Sequence, residues 1–125
     1  MLVIDSSVII AAFRRQEERH NDALEILNFG QEILVLDYVL AEVLTVLKMK
    51  EGYKISNKCL DFLENCEGFL IRRLANAEFK SSVEFFKLNN NKLSFVDLCL
   101  VTFTKAQGLP LVTFDKDLAD CFNAY

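Results

Sequence analysis

Apolar residues fall along this chain in two alternating patterns: short continuous runs, and longer stretches in which they recur every three or four positions. The runs Leu2–Ile4, Ile33–Leu36, Phe69–Ile71 and Leu111–Phe114 predict buried strands. Ser6–Phe13 follows the first run at once and predicts a helix opened by a serine cap. From Arg19 to Phe29 the positions Ala23, Leu24, Ile26 and Leu27 keep helical spacing, and Gly30 is the stop. A helix is predicted from Asp37 to about Lys50, with Leu40, Val43, Leu44 and Leu47 on one face and Gly52 beyond its end. Another runs from Ile55 to Cys66, closed by Gly68. Asn76 to Leu88 forms the next, with Phe79, Val83 and Phe86 turned inward and Asn89–Asn91 as the loop that ends it. Ser94 caps a helix to about Gln107, Gly108-Leu109-Pro110 turns into the last strand, and a short helix follows Asp115. Strands alternating with helices predict an α/β fold, a three-layer α/β/α sandwich around a mainly parallel sheet of four to five strands.

With 125 residues, 52% apolar and 26% charged, and no low-complexity or linker tract, the chain reads as a single domain over residues 1–125. A domain of this size buries roughly two-thirds of its unfolded surface and needs no staples. No basic segment precedes the first apolar run, and no stretch approaches the ~18 apolar residues of a membrane span, so a cytoplasmic protein without membrane contact is expected. Cys59, Cys66, Cys99 and Cys121 form no Cys-x-x-Cys pair and His20 is the only histidine, which argues against structural zinc. The cysteines read as reduced core residues. A net charge of −4 does not suit a domain that grips nucleic acid by charge alone. Solubility is one reason for the excess acid; the placement of the acids suggests another.

In an open parallel sheet the reactive edge lies where strands end. Asp5 and Asp115 both follow predicted strands, and neighbouring strands would bring them within reach of one metal ion. Asp97 fits a helix capping box with Ser94, but its helix is apolar nearly all round, from Phe95 to Phe103, so an acid in its first turn borders the sheet edge. A carboxylate buried there wants a cation or strong donors. Glu42, with Val39 and Val46 on its own helix face, lies on the flank of an apolar stripe, though a solvated glutamate would fit the same periodicity. Ser7 and Thr113 place hydroxyls beside Asp5 and Asp115, with helix capping as the plainer role of Ser7. Carboxylates without His or Cys suit Mg²⁺ or Mn²⁺, ions of phosphoryl chemistry, and such an ion would supply the positive field that the net charge lacks.

Val3-Ile4-Asp5-Ser6-Ser7-Val8, Leu40-Ala41-Glu42, Leu93-Ser94-Phe95-Val96-Asp97 and Gly108 to Asp117, in this order and at these separations, resemble the PIN-domain nucleases, especially the short VapC-type toxins of toxin–antitoxin pairs. The resemblance covers essentially the whole chain. It implies an endoribonuclease dependent on Mg²⁺ or Mn²⁺, with Asp5, Glu42, Asp97 and Asp115 as the metal-coordinating, catalytic acids and Asp117 assisting. It also implies RNA as substrate, a homodimer, and a cognate antitoxin whose C-terminal segment lies across the cleft. Asp37-Tyr38 stands where the family often has Ser or Pro-Ser before the second acid. A phospho-receiver domain, the rival from another class, wants two adjacent acids after the first strand and an Asp after the third, where this chain has Ser6-Ser7 and Arg72-Arg73. Within the PIN resemblance, an RNA-maturation nuclease without antitoxin and a catalytically silent binding module are the alternatives. Arg14, Arg15, Lys48, Lys50, Lys54 and Lys116 are the candidate backbone-binding cations, with Lys116 favoured because it adjoins Asp115.

Overall fold

A computed structural model describes residues 1–125. Its four strands are β1 (Leu2–Ile4), β2 (Ile33–Leu36), β3 (Phe69–Arg72) and β4 (Leu111–Val112). The helices are α1 (Ser6–Phe13), α2 (His20–Leu27), α3 (Asp37–Glu51), α4 (Tyr53–Asn65), α5 (Asn76–Leu88), α6 (Phe95–Gln107) and α7 (Lys116–Ala124). The strands form one sheet in the order β3-β2-β1-β4, every pair parallel, with Val3 opposite both Leu34 and Leu111. The expected α/β/α architecture is present, with four strands. The chain steps outward from β1 to β3 and then returns to the other side of β1, so the topological switch point lies between β1 and β4. Crevices that take ligands open there, beyond the carboxyl ends of the strands.

The last strand is shorter than its apolar run. Only Leu111 and Val112 pair with β1; Thr113 and Phe114 instead turn their polar groups toward Ser7 and Asp5. The core is built from β1, β2 and the helices packed on them. Val3, Ile4 and all four residues of β2 are buried, as are Val8 and Ile9 of α1 and Val39, Val43 and Leu47 of α3. On α3 the inward stripe thus runs through Val39, and Leu40 and Leu44 sit half-buried at its margin. In α6 every residue from Leu98 to Thr104 is buried, as its all-round apolar pattern predicts for a central helix. Gly108 ends it with φ of +66°, a left-handed conformation that suits glycine.

One predicted face is wrong. Phe79 and Phe86 of α5 do not point inward: they are 42% and 49% exposed, whereas Ser82 is fully buried. The small serine lets α5 lie against α6, with its hydroxyl bonded to the Glu78 carbonyl and beside the Cys99 thiol. Phe79 and Phe86 pack edge-on against Phe95, and Phe79 also against Tyr38, which makes an aromatic cluster at the surface. Among the cysteines, Cys59 and Cys99 are buried as expected, but Cys66 is exposed at the end of α4 and Cys121 only half-buried. Burial pushes the Cys59 thiol up to about 12. No helix is long and apolar enough to cross a membrane.

The central position of α6 can be tested by contrast. Leu100→Ala, at a side chain 1% exposed, is expected to cost about 2–5 kcal/mol in urea unfolding. Leu88→Ala, at an apolar side chain 83% exposed, should stay within about 0.5 kcal/mol of the parent.

Candidate active site

Asp5 leaves β1 and becomes the residue before α1, with extended backbone and no side-chain capping bond. The expected serine cap is therefore absent: Ser6 is already helical, and the Ser7 hydroxyl is used elsewhere. Ser7 Oγ donates to Asp5 Oδ1 at 2.7 Å and Thr113 Oγ1 donates to Asp5 Oδ2 at 2.6 Å. Each hydroxyl also accepts, Ser7 from the Phe114 N–H at 3.0 Å and Thr113 from the Asp115 N–H at 2.9 Å. A hydroxyl has lone pairs to spare after donating, which allows both bonds at once. The result is a ring of hydrogen bonds that ties the start of α1 to the segment between β4 and α7.

Asp5 is 4% exposed and no lysine or arginine pairs with it. Burial raises its pKa above the ordinary carboxylate value; the bonds from Thr113 and Ser7 and the nearby Val8 N–H oppose this, and the charge of Asp97 adds to it. Asp97 is half-buried in the first turn of α6. Its N–H donates to Ser94 Oγ at 3.1 Å and its Oδ2 accepts from the Ser94 N–H at 3.3 Å, a complete capping box. The plain structural role is thus real, but it does not exclude the other. Burial also raises the Asp97 pKa, the Ser94 bonds oppose this, and the charges of Glu42 and Asp115 push it further up. Asp97 is therefore the acid that the other three share, lying within reach of the charges of Asp5, Glu42 and Asp115.

Asp115 is exposed and caps α7, its Oδ1 accepting from the Leu118 N–H at 3.1 Å. Glu42 is half-buried on α3, and Asp117 is exposed in the first turn of α7. Lys116 stands at the start of α7, its ammonium 3.2 Å from Asp120 on a side chain 88% exposed. Other cations line the space beside Ser7. A groove of about 480 Å³ beside Ser7 is lined by Arg14, Arg19, Val46 and Lys50. Arg14 is committed to Glu51 at 2.9 Å and Glu17 at 3.4 Å. Arg19 lies 4.1 Å over the Phe114 ring, a contact that no local signal in the sequence announces.

The donor set of carboxylate and hydroxyl oxygens fits a hard divalent cation. No three His, Cys, Asp or Glu side chains are placed to hold one ion directly. That arrangement is compatible with Mg²⁺, which keeps several of its waters and takes one or two carboxylates from a protein. An unpaired, buried Asp5 is the feature that a cation would complete.

The raised pKa of Asp5 has a definite consequence for stability. An acid whose pKa is higher in the folded than in the unfolded state contributes most below the unfolded value, here 3.8, and this contribution is lost as pH rises through the folded value. At neutral pH without metal the full penalty applies. Asp5→Asn is therefore expected to melt higher than the parent there, by about 1 kcal/mol, and to lose that advantage as the pH is lowered toward 4. Added Mg²⁺ or Mn²⁺ should stabilise the parent more than the variant. Melting curves of both proteins against pH and metal measure this; a variant less stable throughout would make Asp5 a purely structural residue.

Over 97% of its length the chain superposes on the VapC20 toxin of Mycobacterium tuberculosis, described as cleaving the sarcin–ricin loop, with a TM-score of 0.88, 16% identity and 95% of that chain covered. A toxin–antitoxin complex from Klebsiella pneumoniae matches 95% of this chain and 91% of its own with a TM-score of 0.68 and 19% identity. VapBC2 of Rickettsia felis, bound to a fragment of its promoter DNA, matches the same shares with a TM-score of 0.69 and 15% identity. At these identities the likeness is one of fold. No curated protein matches the chain in sequence. The model of the PIN domain family, however, matches residues 2–121, which include the switch point and Asp5, Glu42, Asp97 and Asp115. The chain belongs to the PIN domain family.

Proposed function

We propose that this protein is a divalent-metal-dependent endoribonuclease that acts in the cytoplasm as the toxin of a toxin–antitoxin pair. The observation that carries the reading is Asp5: a carboxylate 4% exposed at the switch point of a parallel sheet, held by two hydroxyls, without a cationic partner, and within the field of Asp97. Such a site is costly to keep unless it binds something positive. Asp5, Glu42, Asp97 and Asp115 would hold Mg²⁺ or Mn²⁺, with Asp117 at the exposed rim. When bound, the ion supplies positive charge against a phosphodiester and makes a proton of water easier to remove. The chain's own part is positional. Ser7 and Thr113 fix both oxygens of Asp5, Ser94 fixes Asp97 at the start of α6, and the α7 start fixes Asp115. None of these side chains has to reorganise when a substrate arrives.

The toxin assignment draws on the structural neighbours, and the surface offers a partner somewhere to bind. Tyr38, Ala41, Thr45, Phe95 and Val96 line an open groove of about 530 Å³ that Glu42 borders. Half-buried rings beside Glu42 suit an antitoxin segment with an apolar helix and an Arg or Lys that enters the acids. The active form on this reading is a homodimer.

Purified protein is expected to cleave single-stranded RNA with Mg²⁺ or Mn²⁺ and to stop in excess chelator. Asp97→Asn should keep the fold, because an amide has nearly the shape of a carboxylate, and should lose cleavage, because it ligates hard cations poorly. A folded Asp97→Asn protein that cuts like the parent reduces Asp97 to a helix cap, and no cleavage by the parent under any metal favours a binding module. Co-expression with the product of the adjacent reading frame should yield a complex with suppressed cleavage. Recovery of this chain alone and fully active would favour an RNA-maturation enzyme.

A further inference from the structure

Phe114 stands between Thr113 and Asp115, and its backbone N–H is bonded to the same Ser7 hydroxyl that holds Asp5. Its backbone is therefore fixed relative to Asp5. The Arg19 guanidinium lies over that ring at 4.1 Å, and its Nε donates to Asp22 Oδ2 at 2.7 Å, which sets the orientation of the guanidinium plane. The terminal nitrogens of Arg19 have no protein acceptor, and its side chain is 52% exposed. One face of the guanidinium is thus occupied by an aromatic ring while the side chain as a whole stays accessible, at the edge of the groove that begins at Ser7. Lys50 lines the same groove without a carboxylate partner; Glu17 there is already held by Arg14, and Glu18 is the uncompensated acid.

We propose that the Arg19–Phe114 pair is a stacking platform for one base of single-stranded RNA, the base beside the phosphate presented to Asp5 and Asp115, with Lys50 on the backbone of the same strand. The inference rests on the ribonuclease reading above and adds to it the place where the substrate's base is held. Unpaired bases stack on arginine planes as well as on aromatic rings, and the stack accepts any base, so the platform positions the strand and does not read its sequence. Arginine suits this role where lysine does not, because only the guanidinium presents a flat face. A phosphate or a peptide carboxylate would use the charge of Arg19 but not its plane, and that difference makes the proposal testable.

The probe is a short single-stranded RNA carrying the fluorescent adenine analogue aminopurine at successive positions, titrated in Mg²⁺ with Asp97→Asn protein so that binding is read without cleavage. At one position the fluorescence should be quenched on binding. Adding Arg19→Ala should abolish that quenching and raise Kd by about tenfold, and adding Arg19→Lys should do nearly the same. Because Arg19 is an exposed side chain, these variants are expected to keep the parent's circular dichroism. Full retention of quenching and affinity by Arg19→Lys would make the contact a point charge and overturn the platform; so would an Arg19→Ala protein that binds like its parent. The two proposals fail separately. Arg19-dependent quenching with a parent that cleaves no RNA keeps the platform and discards the nuclease. Metal-dependent cleavage by a parent whose KM is unchanged by Arg19→Ala keeps the nuclease and discards the platform.

Discussion

The cost of burying one carboxylate governs the carboxyl edge of this sheet. Asp5 follows β1 directly, in a position too enclosed for water to solvate it, and the fold substitutes two hydroxyls from two different segments. That substitution explains local features that otherwise look unrelated. Strand β4 stops after two residues because Thr113 and Phe114 are drawn into the hydrogen-bond ring, and Asp115 begins α7 where it does because its N–H is held by Thr113. The parallel pairing of β1 with β4 is what brings these residues, distant in sequence, to one edge.

Three of the four acids share a further trait: Asp5, Asp97 and Asp115 all sit at the start of a helix. The amino end of a helix carries partial positive charge and free N–H groups, so each of these starts offsets part of the repulsion between the carboxylates. Glu42, in the interior of α3, has no such support. The capping box of Asp97 is thus not an alternative to a role in the site. It holds the side chain in place and lowers the cost of its charge, while burial and the neighbouring acids keep that charge under strain.

The sequence carried most of this architecture, and its failures are physical. Strand ends placed Asp5 and Asp115 at one edge because parallel topology leaves little choice, and the hydroxyls of Ser7 and Thr113 could be noticed because each lies two residues from an acid. Helical spacing on α5 was misread because it marks an apolar face without saying what that face meets; Phe79 and Phe86 meet other rings at the surface, and the small Ser82 faces α6. Adjacency to Asp115 singles out Lys116 in the sequence but says nothing of its partner, and its ammonium meets Asp120 one turn on. Arg19 over Phe114 joins residues from opposite ends of the chain and leaves no periodic trace.

The distribution of sulfur has a practical corollary for chemical vulnerability. Cys59 and Cys99 are enclosed, and burial together with the charge of Asp97 keeps Cys121 protonated, so none of the three readily offers the thiolate that oxidants and alkylating reagents attack. Cys66 alone lies open, and it precedes β3, at the amino edge of a sheet that has Asp5 and Asp115 at its carboxyl edge. A dye or a glutathione adduct there would decorate the end of the molecule opposite Asp5 and Asp115.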